Sequence, residues 1–252
     1  MKKLFIALVC FCSTWSFAQK GFYLQPEVGG GFSNAVMPVP SSWTSYDNHS
    51  VLSYQGQMDI GYRTGKWQFA TGIGYLRTGV YIKNGSIATL DKNAWLVFAQ
   101  SNDLPFVGWV TNGITDFNPH VMVPVKVGYE VAKLSNKLSF TPFIGAEFSR
   151  NMPRTLILDA GKERNIESKE SFNSNCNLLS TWGTVQLNFD YRLSNRYDLS
   201  FGPSCHYMFT SQLNFAPERD YSVLLNLGVK YNFKRRDNLA TSVPAPQPVP
   251  GS

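Results

Sequence analysis

Residues 221–233 read Tyr221-Ser-Val-Leu-Leu-Asn-Leu-Gly-Val-Lys-Tyr-Asn-Phe233. Val223, Leu225, Leu227, Val229, Tyr231 and Phe233 take alternate positions, with Asn226, Gly228, Lys230 and Asn232 between them. A period of two puts the two sets on opposite faces of an extended strand. The pattern recurs in 179–193. There Thr181, Val185, Leu187, Phe189, Tyr191 and Leu193 oppose Gln186, Asn188, Asp190 and Arg192. It recurs in 196–210, where Tyr197, Leu199, Phe201, Tyr207 and Phe209 oppose Asp198, Ser200, Gly202, Ser204 and His206.

Working back toward the N-terminus, five more segments alternate. They start near Phe22, Leu52, Trp67, Val121 and Leu138 and end near Phe32, Tyr62, Tyr81, Tyr129 and Phe148. Arg63-Thr-Gly-Lys66 joins the second and third segments, 133–137 joins the fourth and fifth, and Ser194-Asn195 joins the sixth and seventh. The remaining connections, 33–50, 83–118, 150–178 and 211–220, are long. Strict alternation of short and long connections is the layout of a membrane-spanning barrel. The expected fold is all-β: an eight-stranded antiparallel up-and-down transmembrane β-barrel with short periplasmic turns and long extracellular loops. Eight strands place both ends of the barrel chain on the periplasmic side.

Charge decides which face points inward. Glu27, Asp59, Lys126, Glu130, Glu147, Asp190, Arg192 and Lys230 all fall on the polar side. Lys or Arg facing lipid at the midplane costs ~2–4 kcal/mol, so the polar side is expected to line the lumen. Aromatic residues gather near the strand ends of the other face. Phe22, Tyr62, Trp67, Tyr191, Tyr197, Tyr231 and Phe233 lie at one end, and Phe32, Tyr81, Phe148 and Phe209 at the other, as interfacial girdles do. A soluble β-sandwich or lipocalin-like barrel shares the alternation. The asymmetric connections and end-placed aromatics favour the membrane barrel. Pro26, Pro124, Pro142 and Pro203 fall inside strands, where each removes a ladder donor, and bulges or distortions are expected beside them.

The ends of the chain fit a secreted protein. Lys2 and Lys3 precede an apolar run from Leu4 to Phe11, and Ser16 and Ala18 form a small-residue cleavage site before Gln19. That run is shorter than the ~20 residues of a spanning helix. Val9 and Phe11, which precede Cys10 and Cys12, argue against a lipoprotein. Residues 1–18 are read as a signal peptide, 19–233 as the barrel, and 234–252 as a basic, then Pro-rich periplasmic tail without fixed structure. Removing Lys2 and Lys3 lowers the formal charge from +6 to +4. Part of the remainder sits at Lys234, Arg235 and Arg236, so the charge gives no support for nucleic-acid binding. Cys176 and Cys205 are too widely spaced for a disulfide scaffold, and no metal-ligand spacing occurs.

Val121-Met-Val-Pro-Val-Lys-Val-Gly-Tyr129 and Thr141-Pro-Phe-Ile-Gly-Ala-Glu-Phe148 resemble consecutive strands of PorT-like outer-membrane β-barrel proteins of Bacteroidota. Val28-Gly-Gly-Gly-Phe-Ser33 resembles the opening strand of that family and Tyr231-Asn-Phe233 its closing strand. The resemblance spans about Gln19 to Phe233 and implies fold and location. It carries over no catalytic residue.

Candidate chemistry is sparse. Ser204 and His206 share a face that Glu147 could approach, the residue types of a hydrolase, but i, i+2 spacing on a strand is common and the set is read as hydrogen-bonded lumen residues. No catalytic, cofactor or metal site is assigned. Trp95, Phe98, Phe106 and Trp109, in the 83–118 loop, form the candidate external interaction surface. A cap over the barrel mouth and a contact with the lipid rim are the competing readings of that loop. The expected role is structural or in binding, in contact with outer-membrane lipid and one or more envelope proteins. A narrow solute channel is the first alternative and an outer-membrane hydrolase the second.

Overall fold

The computed structural model describes residues 21–36, 48–83, 113–159, 165–169, 177–211 and 218–233. In chain order the strands are β1 (Gly21–Val36), β2 (Asn48–Thr64), β3 (Trp67–Lys83), β4 (Gly113–Tyr129), β5 (Ala132–Lys133), β6 (Leu138–Asn151), β7 (Thr155–Asp159), β8 (Asn165–Lys169), β9 (Leu179–Arg192), β10 (Tyr197–Met208) and β11 (Arg219–Asn232). Eight of them form a ring in which every neighbour is antiparallel: β1, β2, β3, β4, β6, β9, β10, β11 and back to β1. Closure leaves no edge among these eight, which is how a barrel satisfies its backbone without water. The fold is an eight-stranded, up-and-down transmembrane β-barrel, and no helix occurs among the described residues.

The short connections share one end, called here the turn end. Gly65, with φ of 61°, and Lys66 turn β2 into β3; a left-handed φ in a two-residue hairpin suits glycine. The other two turns are built alike on Leu134-Ser-Asn-Lys137 and Leu193-Ser-Asn-Arg196. In each, the leucine and serine N–H groups donate to the carbonyl that follows the turn, that of Leu138 or Tyr197, at 2.9–3.1 Å. The serine hydroxyl accepts two backbone N–H groups, from Lys137 and Leu138 or from Arg196 and Tyr197. This local side-chain bonding fixes the reversal.

The opposite, or loop, end departs from the sequence reading in extent. The connection taken as 83–118 is shorter, because β4 begins at Gly113 and pairs with β3 up to Lys83. The stretch read as a 150–178 loop contains the β7–β8 hairpin, whose first strand pairs with β4 beyond the end of β6. Strands of 12–17 residues exceed the ~9–11 needed to cross a bilayer, so the barrel wall stands beyond the apolar band.

The outer face is apolar. Val28, Leu52, Ile60, Ile73, Val125, Ile144, Val185, Val223, Leu225 and Leu227 are all exposed. Aromatic pairs bound this band at the turn end. Phe22 meets Tyr62 and Trp67 meets Tyr129, both at 4.9 Å, and Tyr197 meets Tyr231 at 5.2 Å. At the loop end Tyr207 meets Phe209 at 5.9 Å. The inner face carries the polar side chains, which is the reverse of a water-soluble barrel.

The strands are distorted beside the prolines, as expected, and at Pro142 by a bulge: Gly128 pairs with Phe143 but Ala132 with Phe140, one residue out of step. Next to Pro26, Pro124 and Pro203 the ladder skips two pairs on one side and resumes in the same register. The neighbour on the other side keeps its pairing, so the lost donor is absorbed locally. A further register shift lies between β2 and β3, from Ser50 to Tyr54. Gly202 makes the passage through Pro203 possible: its φ is 154°, and a Cβ there would collide with the Leu187 carbonyl oxygen. Gly202→Ala is therefore expected to destabilise the barrel by roughly 1–3 kcal/mol. Urea-dependent folding into lipid vesicles measures this, with Gly30→Ala, where a Cβ meets nothing within 4 Å, as the neutral comparison.

Candidate functional site

Among the described residues, charged side chains converge in the lumen. Along β2, β4, β9, β10 and β11 the inward residues meet the same succession of clusters from turn end to loop end. Glu27, Asp59, Lys126, Glu130, Glu147, Asp190 and Lys230 are buried there, and Arg192 is half-buried at the turn end.

Nearest the turn end, Lys230 Nζ donates to Asp190 Oδ2 at 2.8 Å and to Gln68 Oε1 at 3.3 Å, and lies 5.0 Å from the Tyr23 ring centroid. Deeper in, Lys126 Nζ pairs with Asp59 Oδ2 at 2.7 Å and donates to Gln186 Oε1 at 3.0 Å. Gln57 donates to the other Asp59 oxygen at 2.6 Å. Gln186 in turn donates to both oxygens of Glu27, which also accepts from Gln25. Partnering of this kind offsets the cost of burying these charges.

The next cluster joins β6 and β10, the two strands that flank β9. Ser204 Oγ lies 3.0 Å from His206 Nε2, and His206 Nδ1 lies 3.1 Å from Glu147 Oε2. With Nδ1–H donating to Glu147, Nε2 accepts the serine hydroxyl. This is the order of a nucleophile, a base and an orienting carboxylate. All three side chains are at most 3 % exposed.

Above this cluster the lumen turns apolar. Leu76, Met122, Trp182, Met208 and Leu224 pack together, each essentially inaccessible. Trp182 Nε1 donates to Ser149 Oγ at 2.9 Å, and its ring meets His120 edge-on at 5.0 Å. The polar face of the sequence reading contained no such layer. At the loop end a second polar group follows. Thr78 and Asn118 donate to Asp220 Oδ2, while His120 bonds Asn151 at 2.9 Å. Arg154, just beyond β6, then joins Asp116 and lies 3.4 Å from Glu218. Arg154 and Glu218 lay in stretches read as loops, so alternation gave no sign of them.

Trp95, Phe98, Phe106 and Trp109 lie outside the described residues. Cys205 is a free, exposed thiol on the outer face. Among the described residues no group of three or more His, Cys, Asp and Glu could hold a metal ion.

No protein-family model matches the chain, and no curated protein matches it. Solved structures similar in fold include Neisserial surface protein A, 16% identical over 85% of this chain and 99% of that one, with a TM-score of 0.39. They also include a major outer membrane protein from Thermus thermophilus, 13% identical over 84% and 99%, with a TM-score of 0.44. OprG from Pseudomonas aeruginosa is 13% identical over 86% and 97%, with a TM-score of 0.41.

The lumen pairs give a direct energetic expectation. Lys126→Met leaves Asp59 buried without its cation, and breaking a buried pair from one side costs ~3–5 kcal/mol. Adding Asp59→Asn to Lys126→Met is expected to recover part of that loss, because the orphaned charge is gone. Folding free energies of the two single variants and the double variant, completed as a double-mutant cycle, measure the coupling.

Proposed function

We propose that this protein is an integral outer-membrane β-barrel with a structural or binding role, working as a component of a larger envelope assembly. The observation that carries the proposal is the inside-out barrel itself. An exposed aliphatic band between aromatic belts needs lipid around it, and a lumen filled by its own ion pairs and by the Trp182 layer leaves no route through. An eight-stranded barrel has an interior just wide enough for side chains to fill. Filling of this kind favours the non-conducting role over a solute channel, and the sealed position of Ser204 favours a non-hydrolytic one.

In this reading residues 1–18 are a cleaved leader, the turn end and both barrel termini face the periplasm, and 234–252 form the periplasmic tail. The strand motifs around Pro124 and Pro142 support a place among PorT-like proteins of Bacteroidota. The working surfaces are then the barrel ends. Trp95, Phe98, Phe106 and Trp109 give the longest external connection its aromatic anchors, the residue types that dominate interface energies.

Membrane integration is tested by fractionation. The protein is expected in the outer membrane, resistant to carbonate and high salt, with faster gel migration before boiling than after it. Recovery as a soluble periplasmic monomer would overturn the proposal.

The interaction surface is tested by replacing Trp95, Phe98, Phe106 and Trp109 together with Ser. Thermal stability is expected to stay within experimental error while envelope proteins that co-purify in mild detergent are lost. A stability loss with unchanged partners would make the loop a lid instead.

A further inference from the structure

At the turn end the mouth of the barrel opens into a pocket of about 310 Å³, including the space continuous with solvent. Four cations line it, Arg63, Lys133, Lys137 and Arg192, against two carboxylates, Glu130 and Asp190. Both carboxylates have a cation of their own. Asp190 Oδ2 accepts from Lys230 at 2.8 Å, and Glu130 Oε1 lies 4.0 Å from Lys133. Arg63 is not matched in the same way. Its side chain is buried, 5 % exposed, yet neither Nε nor Nη2 has a hydrogen-bond partner. Nη2 is 3.7 Å from Asp190 Oδ2, too far for a hydrogen bond. These two N–H groups form one edge of the guanidinium, the edge that grips an oxyanion with two parallel bonds. Arg192 Nε, on the same pocket, is also without a partner. Buried donors left unpaired lose the water they had when exposed and gain nothing in exchange.

The geometry points to this pocket as a binding site for a protonated oxyanion, inorganic phosphate or a phosphomonoester. Arg63 and Arg192 supply donors to the unprotonated oxygens, and Lys133 and Lys137 supply charge at the rim. One further atom selects the ligand. Asp190 Oδ1 is a buried acceptor that no donor reaches in full hydrogen-bond geometry, although the Ser200 hydroxyl stands near the carboxylate. A phosphate or phosphomonoester that keeps one proton can donate to it, whereas sulfate has no proton to give near neutral pH. A phosphodiester has none either, so a diester headgroup is excluded by the same contact.

The test uses the full-length protein folded in phosphatidylcholine nanodiscs and calorimetric titration with inorganic phosphate, then with sulfate. Saturable 1:1 phosphate binding is expected, with sulfate at least tenfold weaker. Arg63→Gln is expected to weaken phosphate binding at least tenfold, and Lys66→Gln, at the same end but outside the pocket, to leave it unchanged. If Arg63→Gln fails to show the heat-dependent gel shift of a folded barrel, Arg192→Gln carries the same expectation. A parallel arm compares nanodiscs containing phosphatidic acid with nanodiscs containing phosphatidylglycerol. Arg63-dependent retention of phosphatidic acid without binding of the free ion assigns the ligand to the membrane, and binding of the free ion in phosphatidylcholine alone assigns it to solution. Equal binding of phosphate and sulfate, insensitivity to the arginine replacements, or no binding in either arm would overturn the site.

Discussion

A charge inside this barrel has nowhere to go. The wall is closed, its outer face is aliphatic, and moving Lys126 or Lys230 to that face would cost ~2–4 kcal/mol at the bilayer midplane. Inside, each charge must find its partner within a ring of eight strands. The lumen is arranged around that constraint. Lys230 and Asp190 meet from β11 and β9, and Lys126 and Asp59 from β4 and β2. Neither pair lies on adjacent strands, so each ties the barrel across its interior and not along its wall.

The same constraint gives the Ser204–His206–Glu147 group a structural account. Glu147 is buried on β6 with Thr184 and His206 as hydrogen-bond partners. His206 brings an N–H to the carboxylate, and Ser204 fills the remaining ring nitrogen. A chain of this kind satisfies three polar side chains at once, as buried networks must if they are to stabilise. The Trp182 layer then separates this polar section from the Asp220 and Arg154 groups at the loop end.

Much of the wall was legible in the sequence, because a period of two survives any choice of lumen partner. Val223 to Phe233 and Val185 to Leu193 announce their outward face without reference to the rest of the chain. What lies inside was legible only in part. Tyr23, Leu76, Trp182, Met208 and Leu224 are apolar residues on the polar face, and nothing in the alternation tells a packed layer from a break in phase. The first half of β4 was hidden for another reason: Gly113, Asp116, Asn118 and Pro119 are residue types of turns, so the strand read as loop. The prolines announced distortion but not its form: at Pro26, Pro124 and Pro203 the ladder drops two pairs and resumes, and beside Pro142 it shifts by one residue. Arg63 looked like a turn residue. Its pocket depends on Asp190 and Arg192, more than 120 positions away in the chain, a proximity that only closure of the barrel creates.

Paired side chains fill the lumen between the two mouths of the barrel. Single-channel recording on the folded protein in planar bilayers probes this directly, since a continuous water path between the two ends conducts ions and a stack of paired side chains does not. The expected record is a flat baseline with no stable steps across the applied voltages. Steady, ion-selective steps would contradict it and would make the lumen charges the lining of a channel.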